Sequence, residues 1–303
     1  MIFAAGLGTR LYPLTANKPK ALVEYNGKTL LEHTLTKIIE AGIDNIVINV
    51  HHFGEQIIDF FNQNHFNVNI NISDEREKLL DTAGGLKHAE HFLKEYDQIL
   101  LYNVDVISSI DLNLLLTAHL KPLTSYLTPQ TSHLPPHTSH LSPHTSYLTP
   151  HTSHLTPHTS NLKPHTSYLT PLTSYLTPHT SYLSPPTSHL SPLTSYLSPL
   201  ATLAVRNRQT SRYFLFEEPE LRLCGWKNIS TEERIICYEV EKYSSLAFSG
   251  IHIVKKKILD FIPKNEKLSF TTLYLELAKN YHIQGYLHNE DTWKDLGKRE
   301  DFN

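Results

Sequence analysis

The chain has 303 residues, 40% of them hydrophobic, with 27 Lys and Arg set against 30 Asp and Glu for a formal net charge of −3. That length suits one large α/β domain or two smaller ones, and the near-neutral balance supplies no global field for nucleic acid or an anionic membrane, so any phosphate chemistry must be local. Two cysteines, Cys224 and Cys237, are too few for a disulfide framework and lack metal-ligand spacing, which reads as reduced thiols and argues against zinc.

The opening MIFAAGLGTR has no basic segment ahead of its apolar stretch, and no apolar run approaches the length of a membrane span, so a cytoplasmic protein without a membrane partner is expected. In chain order, IFAAG reads as a strand, TLLEHTLTKIIEAG as a helix ending at Gly42, NIVINV as a strand and GEQIIDFFNQN as a helix. NVNINIS, LKHAEHFLKE and QILLYNVDV continue as strand, helix and strand, and DLNLLLTAHLK as a helix behind the capping residue Asp111. This alternation predicts an α/β, Rossmann-like, mostly parallel sheet with helices on both faces.

Residues 122–200 break the pattern with a seven-residue unit of the form P-H-T-S-Y-L-T, in which Lys163 is the only charged residue and ten of the chain's 20 histidines fall. Proline in every unit excludes a coiled coil, and without cysteine or carboxylate partners the histidines make a poor metal site, so the tract reads as a disordered low-complexity insertion. Its regularity resembles tandem expansion of a short in-frame DNA unit. Because loop closure cost grows only logarithmically with length, residues 1–121 and 201–303, resuming with the strand ATLAV, are expected to form a single domain around it.

In parallel sheets ligands bind beyond the carboxyl ends of strands, which directs attention to the residues after IFAAG and at the end of QILLYNVDV. Gly6 and Gly8 let the amides of Ala5, Gly6, Gly8 and Thr9 approach a phosphate chain, and Arg10 and Lys20 neutralise its charge. The string lacks the third glycine of a dinucleotide fingerprint and the G-K-S/T of a P-loop. Asp105 ends an apolar strand, where an ionised group needs solvent or a cation. Thr82, Ala83, Gly84 and Gly85, following Asp81, form a small-residue loop against which a flat base can lie, or a simple turn. Gly250, inside FSGIHIV, marks either close approach of a ligand or a bulge.

GLGTRLYPLT followed by KPK resembles the signature of the sugar-phosphate nucleotidyltransferases, and LLDTAGGL, LLYNVDV, FSGIHIV and TWKDLGKRED extend the likeness over all but the repeat. The resemblance implies Mg²⁺ held by Asp105 and Asp295, with Arg10 and Lys20 on the substrate phosphates. It implies Ala5, Gly6, Gly8, Thr9, Thr82, Gly84 and Gly85 around the nucleotide and Gly250 facing the sugar. The implied reaction is attack of a sugar 1-phosphate oxygen on the α-phosphorus of an NTP with loss of pyrophosphate. The TAGGL loop is more similar to guanylyl- and uridylyl-transferring members, mannose 1-phosphate guanylyltransferases and N-acetylmuramate 1-phosphate uridylyltransferases among them, than to thymidylyl-transferring ones, which favours GTP or UTP.

Two features depart from that pattern. No clean E-K-P element precedes the sugar-facing strand, which leaves the sugar-phosphate lysine unassigned, with Lys227 a possible substitute that more simply reads as an exposed turn lysine. The first strand is also shorter than the family's, as if the start were placed late. The alternatives are a catalytically impaired nucleotide-binding protein and a nucleotide-sugar-dependent glycosyltransferase of similar fold, the latter disfavoured by the single aspartate of NVDV.

Overall fold

Four strands in the first half of the chain line up in parallel as the pattern predicts. In the computed structural model, which describes residues 1–121 and 198–302, β1 (Ile2–Phe3) pairs on one side with β4 (Asn45–Val50) and on the other with β6 (Gln98–Asn103), and β4 pairs with β5 (Asn69–Asp74). A separate hairpin, β2 (Glu24–Tyr25) with β3 (Lys28–Thr29), leads into helix α1 (Leu30–Glu40). That helix starts where it does because of a capping box: Thr29 Oγ1 accepts the Glu32 N–H at 3.1 Å while Glu32 Oε2 accepts the Thr29 N–H at 2.7 Å. Its apolar stripe, Leu30, Leu31, Leu35 and Ile38, is buried, each side chain contributing roughly 1.5–3 kcal/mol.

The second half corrects the expected topology. After β7 (Val106–Ser108) and the repeat come β8 (Ala201–Arg206), β9 (Arg212–Glu217), β10 (Arg222–Asn228), β11 (Glu233–Ile236), β12 (Tyr243–Lys255), β13 (Ile283–Leu287) and β14 (Trp293–Asp295). The main sheet has ten strands in the order β11-β10-β13-β8-β12-β6-β1-β4-β5, with β9 bridging β10 and β12. β12 runs antiparallel to both β6 and β8, and β9, β10 and β11 form antiparallel hairpins, so the sheet is mixed, not mostly parallel. The physical reason is local: RYFLFE and RLCGWKN are separated only by a tight turn, which closes a hairpin and leaves no room for a crossover helix.

Both faces are covered. Helices α1, α2 (Gly54–Gln63) and α5 (Leu112–Leu120) pack with Ile2, Ile46, Ile48 and Ile251 on one face. On the other, α3 (Asp81–His88), α4 (Glu90–Leu93) and α6 (Phe270–Leu277) pack with Phe3, Val47, Leu101 and Leu203. Alternate strand residues thus serve opposite cores, as a doubly covered sheet requires. Met1–Leu120 with Pro199–Asn303 forms one compact unit. Residues 122–197 lie outside the described residues, and with them the expectation of a disordered insertion.

Candidate functional site

The carboxyl ends of β1, β4, β5 and β6 open on a cleft of ≈ 410 Å³ whose lining includes the whole of Phe3–Arg10, Lys20, Asn49, Glu75, Asp81, Thr82, Asp105, Lys267 and Gly297. This is where strand-end chemistry was expected.

The glycine loop leaves β1 with its first two amides already spoken for: Ala4 N–H and Ala5 N–H donate to Asn49 Oδ1 at 2.7 and 3.3 Å. At Gly6 an added Cβ would meet nothing within 4 Å, so the backbone there faces open cleft. Gly8 is held instead. It sits at φ +64, a Cβ on it would lie 2.9 Å from Thr15 Cγ2, and its carbonyl accepts from Thr15 Oγ1 at 2.9 Å. A 3-10 turn over Thr9–Leu11 buries Leu11 and leaves Thr9 and Arg10 exposed to the cleft; a second, Lys20–Leu22, brings Lys20 to its floor.

Lys20 and Asp105 form an ion pair with side chains only 11% and 17% exposed. Asp105 lies in the turn between β6 and β7, and β7 pairs with β14 in the register Val106↔Asp295. Leu296 N–H then donates to the Asp105 carbonyl at 2.8 Å, which draws the two acids into one corner. A Cβ built on Gly297 would lie 2.7 Å from Asp295 Oδ1, 3.2 Å from Arg10 Nη2 and 3.5 Å from Asp105 Oδ2. Burial first, and then the charge of Asp105, hold the Asp295 carboxyl above its ordinary range, against the pull of Lys20, the Gly297 N–H and Arg10. Four charged side chains predicted from separate motifs are therefore neighbours.

The base-side prediction needs correction. TAGGL is the body of helix α3, not a loop. Gly84 and Gly85 are buried and absent from the cleft lining; a Cβ on Gly84 would lie 2.3 Å from the Glu266 carbonyl oxygen and one on Gly85 2.6 Å from Glu75 Oε1. Tight helix packing accounts for both glycines. Asp81, at φ 62, and Thr82 stand at the cleft wall in their place, the Thr82 N–H donating to Asp81 Oδ1 at 2.7 Å. Gly250 lies at φ +78 where the β12–β8 register shifts between Phe248 and His252, 2.8 Å by its virtual Cβ from Val106 Cγ2, which matches the bulge reading. Lys227 sits on β10 with its ammonium 5.6 Å from the Tyr213 ring and takes no part in the cleft lining.

Sequence reasoning missed Asn49, Glu75, Gly297 and Lys267 as cleft residues. The first two had a signal: polar residues at the carboxyl ends of apolar strands. Lys267 had none, because it reaches the cleft through backbone pairing of its segment with α3, where Leu268 N–H donates to the Leu80 carbonyl and Ala83 and Gly84 N–H donate to that of Leu268, at 2.9–3.1 Å.

Residues 1–129 match the family described as nucleotidyl transferase. Over 110 residues the chain is 42% identical to the N-acetylmuramate alpha-1-phosphate uridylyltransferase of Caulobacter vibrioides, covering 35% of this chain and 45% of that protein. It is 38% identical over 122 residues to the mannose-1-phosphate guanyltransferase of Hypocrea jecorina, covering 39% and 33%. The aligned part thus spans less than half the length of these curated relatives. Among solved structures, the UDP-glucose pyrophosphorylase from Acinetobacter baumanii superposes with a TM-score of 0.59 at 13% identity, over 99% of this chain and 89% of that one. The inositol-1-phosphate CTP transferase from T. maritima gives 0.56 at 12%, over 100% and 90%. These likenesses show a fold that the chain shares with both structures. The chain resembles the sugar-phosphate nucleotidyltransferases, most fully in its first 129 residues.

Proposed function

We propose that the protein transfers a nucleoside monophosphate from an NTP to a sugar 1-phosphate, yielding an NDP-sugar and pyrophosphate, with GTP or UTP the favoured nucleotide. The observation that carries this reading is the meeting of Asp105, Asp295, Arg10 and Lys20 around Gly297 at the mouth of an open glycine loop.

The two acids suit Mg²⁺. Among the described residues there is no cluster of three or more His, Cys, Asp and Glu side chains with metal-site geometry, but Mg²⁺ is commonly held by one or two carboxylates together with substrate phosphates. Asp295 is raised by burial and by the like charge of Asp105 even with Lys20 and Arg10 nearby, and a divalent cation between the two carboxylates would relieve that repulsion. When bound by Asp105 and Asp295, Mg²⁺ would neutralise phosphate charge.

The chain's own groups do the rest. The loop amides beyond Ala5 face the phosphates, Arg10 and Lys20 offset the charge gathering on the transferred group and the leaving pyrophosphate, and Asp105 aims the Lys20 ammonium. The sugar 1-phosphate oxygen is already ionised, so in-line attack on the α-phosphorus needs no general base, and alignment with charge neutralisation is sufficient. Thr82 and Asp81 are assigned to the nucleotide, with Gly84 and Gly85 shaping the wall behind them, and Gly250 to the strand facing the sugar. Residues 1–121 and 201–303 are assigned as the catalytic domain and the cytoplasm as its location; among the described residues no helix is long and apolar enough to cross a membrane.

The test is a matrix of nucleoside triphosphates against sugar 1-phosphates, with pyrophosphate detected on purified protein. Release with at least one pair supports the reading. Nucleotide binding with no release from any pair would show a non-catalytic binder, and sugar transfer from an NDP-sugar without pyrophosphate chemistry would show a glycosyltransferase.

A further inference from the structure

We infer that Asn49 and Glu75 are positioning residues, a buried amide–carboxylate pair that holds the glycine loop in the register at which its amides meet the nucleotide and ties that loop to the start of α3. The inference rests on the nucleotide-binding reading above.

Asn49 stands near the end of β4, among Ile46, Val47, Ile48 and Val50, and Glu75 directly follows β5; they are 3% and 2% exposed. A polar pair at that depth is costly unless its hydrogen bonds are made, and here they are made to functional backbone. Asn49 Oδ1 accepts from Ala4 N–H and Ala5 N–H, the last two residues before the open turn at Gly6, while Asn49 Nδ2 donates to Glu75 Oε1 at 2.8 Å. Glu75 Oε2 accepts the Leu80 N–H at 3.4 Å, just ahead of Asp81 and Thr82. Gly85 of α3 packs so closely that a Cβ there would lie 2.6 Å from Glu75 Oε1 and 3.0 Å from Asn49 Nδ2. Both residues also line the cleft.

One carboxamide thus accepts from the loop and donates to a carboxylate that in turn accepts from the entry to the base-side helix. Asparagine fits position 49 because it presents an acceptor and a donor at one end of a short side chain. The two walls of the nucleotide cleft share this brace, so a shift in one is transmitted to the other.

The polarity of the pair can be inverted without losing a bond. In Asn49→Asp two carboxylates face each other across a buried contact. In the double variant Asn49→Asp with Glu75→Gln, the new carboxylate at position 49 accepts the loop amides and the new amide at position 75 donates to it while its oxygen still accepts from Leu80. The experiment compares the parent, Asn49→Asp and the double variant by KM for nucleotide, KM for sugar 1-phosphate, kcat and calorimetric binding of GTP and UTP. Asn49→Asp is expected to raise the nucleotide KM about tenfold or more with the sugar-phosphate KM nearly unchanged, and the double variant to return to within about threefold of the parent. An unchanged nucleotide KM in Asn49→Asp, or a folded double variant that binds as weakly as the single one, overturns the inference. If Asn49→Asp does not fold, the double variant carries the test alone: it must fold and bind near parent affinity. In Asn49→Ala, amide exchange at Ala4 and Ala5 should quicken about tenfold while that of Tyr102, bonded to the Met1 carbonyl, stays as in the parent; equal exchange at Ala4 and Ala5 also overturns it. A parent that binds neither nucleotide removes the functional reading and this inference with it, whereas a parent that binds while Asn49→Asp is indifferent removes the inference alone.

Discussion

Asp105 and Asp295 are brought together by a backbone ladder, not by their side chains: β7 begins one residue after Asp105, β14 ends on Asp295, and the Leu296 N–H closes the pairing on the Asp105 carbonyl at 2.8 Å. The acids are therefore held in place even before a cation joins them. Replacing either with asparagine should lower pyrophosphate release by about a hundredfold or more, with the thermal midpoint close to the parent in Asp295→Asn and lower in Asp105→Asn, which takes the counter-charge from the buried Lys20 ammonium. Near-normal turnover in both variants would remove them from the chemistry.

Lys20 is the cation most tightly committed to that corner. Lys20→Met leaves the Asp105 carboxylate unpaired and largely buried, so both stability and turnover should fall, the former by about 1–3 kcal/mol. Arg10, exposed at the cleft rim, should separate the two effects: Arg10→Ala is expected to lower turnover with little change in the urea midpoint. Equal losses of stability in the two variants would contradict this division.

Gly297 and Gly84 give a paired steric test. A methyl group at Gly297 points at Asp295 Oδ1, Arg10 Nη2 and Asp105 Oδ2, so Gly297→Ala should reduce activity more than stability. At Gly84 the same methyl meets the Glu266 backbone carbonyl at 2.3 Å, and Gly84→Ala should cost about 1–3 kcal/mol in denaturant unfolding. Reversal of that order would show that the packing of α3 has been misread.

The buried histidines set an acid limit on stability. His119 Nε2 donates to Gln98 Oε1 at 2.7 Å, leaving Nδ1 to accept from Thr202 Oγ1 at 2.9 Å, and burial with the nearby Lys255 charge lowers its pKa from 6.5 to about 3. Burial likewise lowers His252 to about 3. Both are neutral when folded and take up protons on unfolding, so their contribution is complete above pH 6.5 and is lost progressively as pH falls from there toward 3. Each can reduce stability by up to about 1.4 kcal/mol per pH unit in that window. Glu75, raised by burial, works in the opposite sense. Urea midpoints at pH 7.5 and 5 should show a clear fall, smaller in His119→Gln; a flat profile would refute it.

Residues 122–197 provide the last test. Met1–Leu120 with Pro199–Asn303 has its own cores on both faces of the sheet, so a chain in which a short Gly-Ser linker replaces that tract should fold and release pyrophosphate at a rate within about threefold of the parent. An insoluble or inactive product would give the tract a structural role.

Much of this protein was legible one residue at a time. The α/β class followed from apolar runs alternating with amphipathic ones, and Gly6, Gly8, Arg10, Lys20 and Asp105 were readable because strand ends, glycine turns and isolated charges are local patterns whose chemistry is carried by the residue itself, whereas Asp295 was named only through the family resemblance. Tertiary structure alone decided the rest. The antiparallel half of the sheet depends on which strands meet after short turns; Gly84 and Gly85 became packing residues because Glu266 and Glu75 press against α3; Lys267 entered the cleft through partners distant in sequence, and the polar strand ends Asn49 and Glu75 gained their contact only by meeting across the fold. Hydrophobic periodicity reports which side of an element is buried, but not what it is buried against, and it is the identity of that neighbour that separates a binding glycine from a packing one.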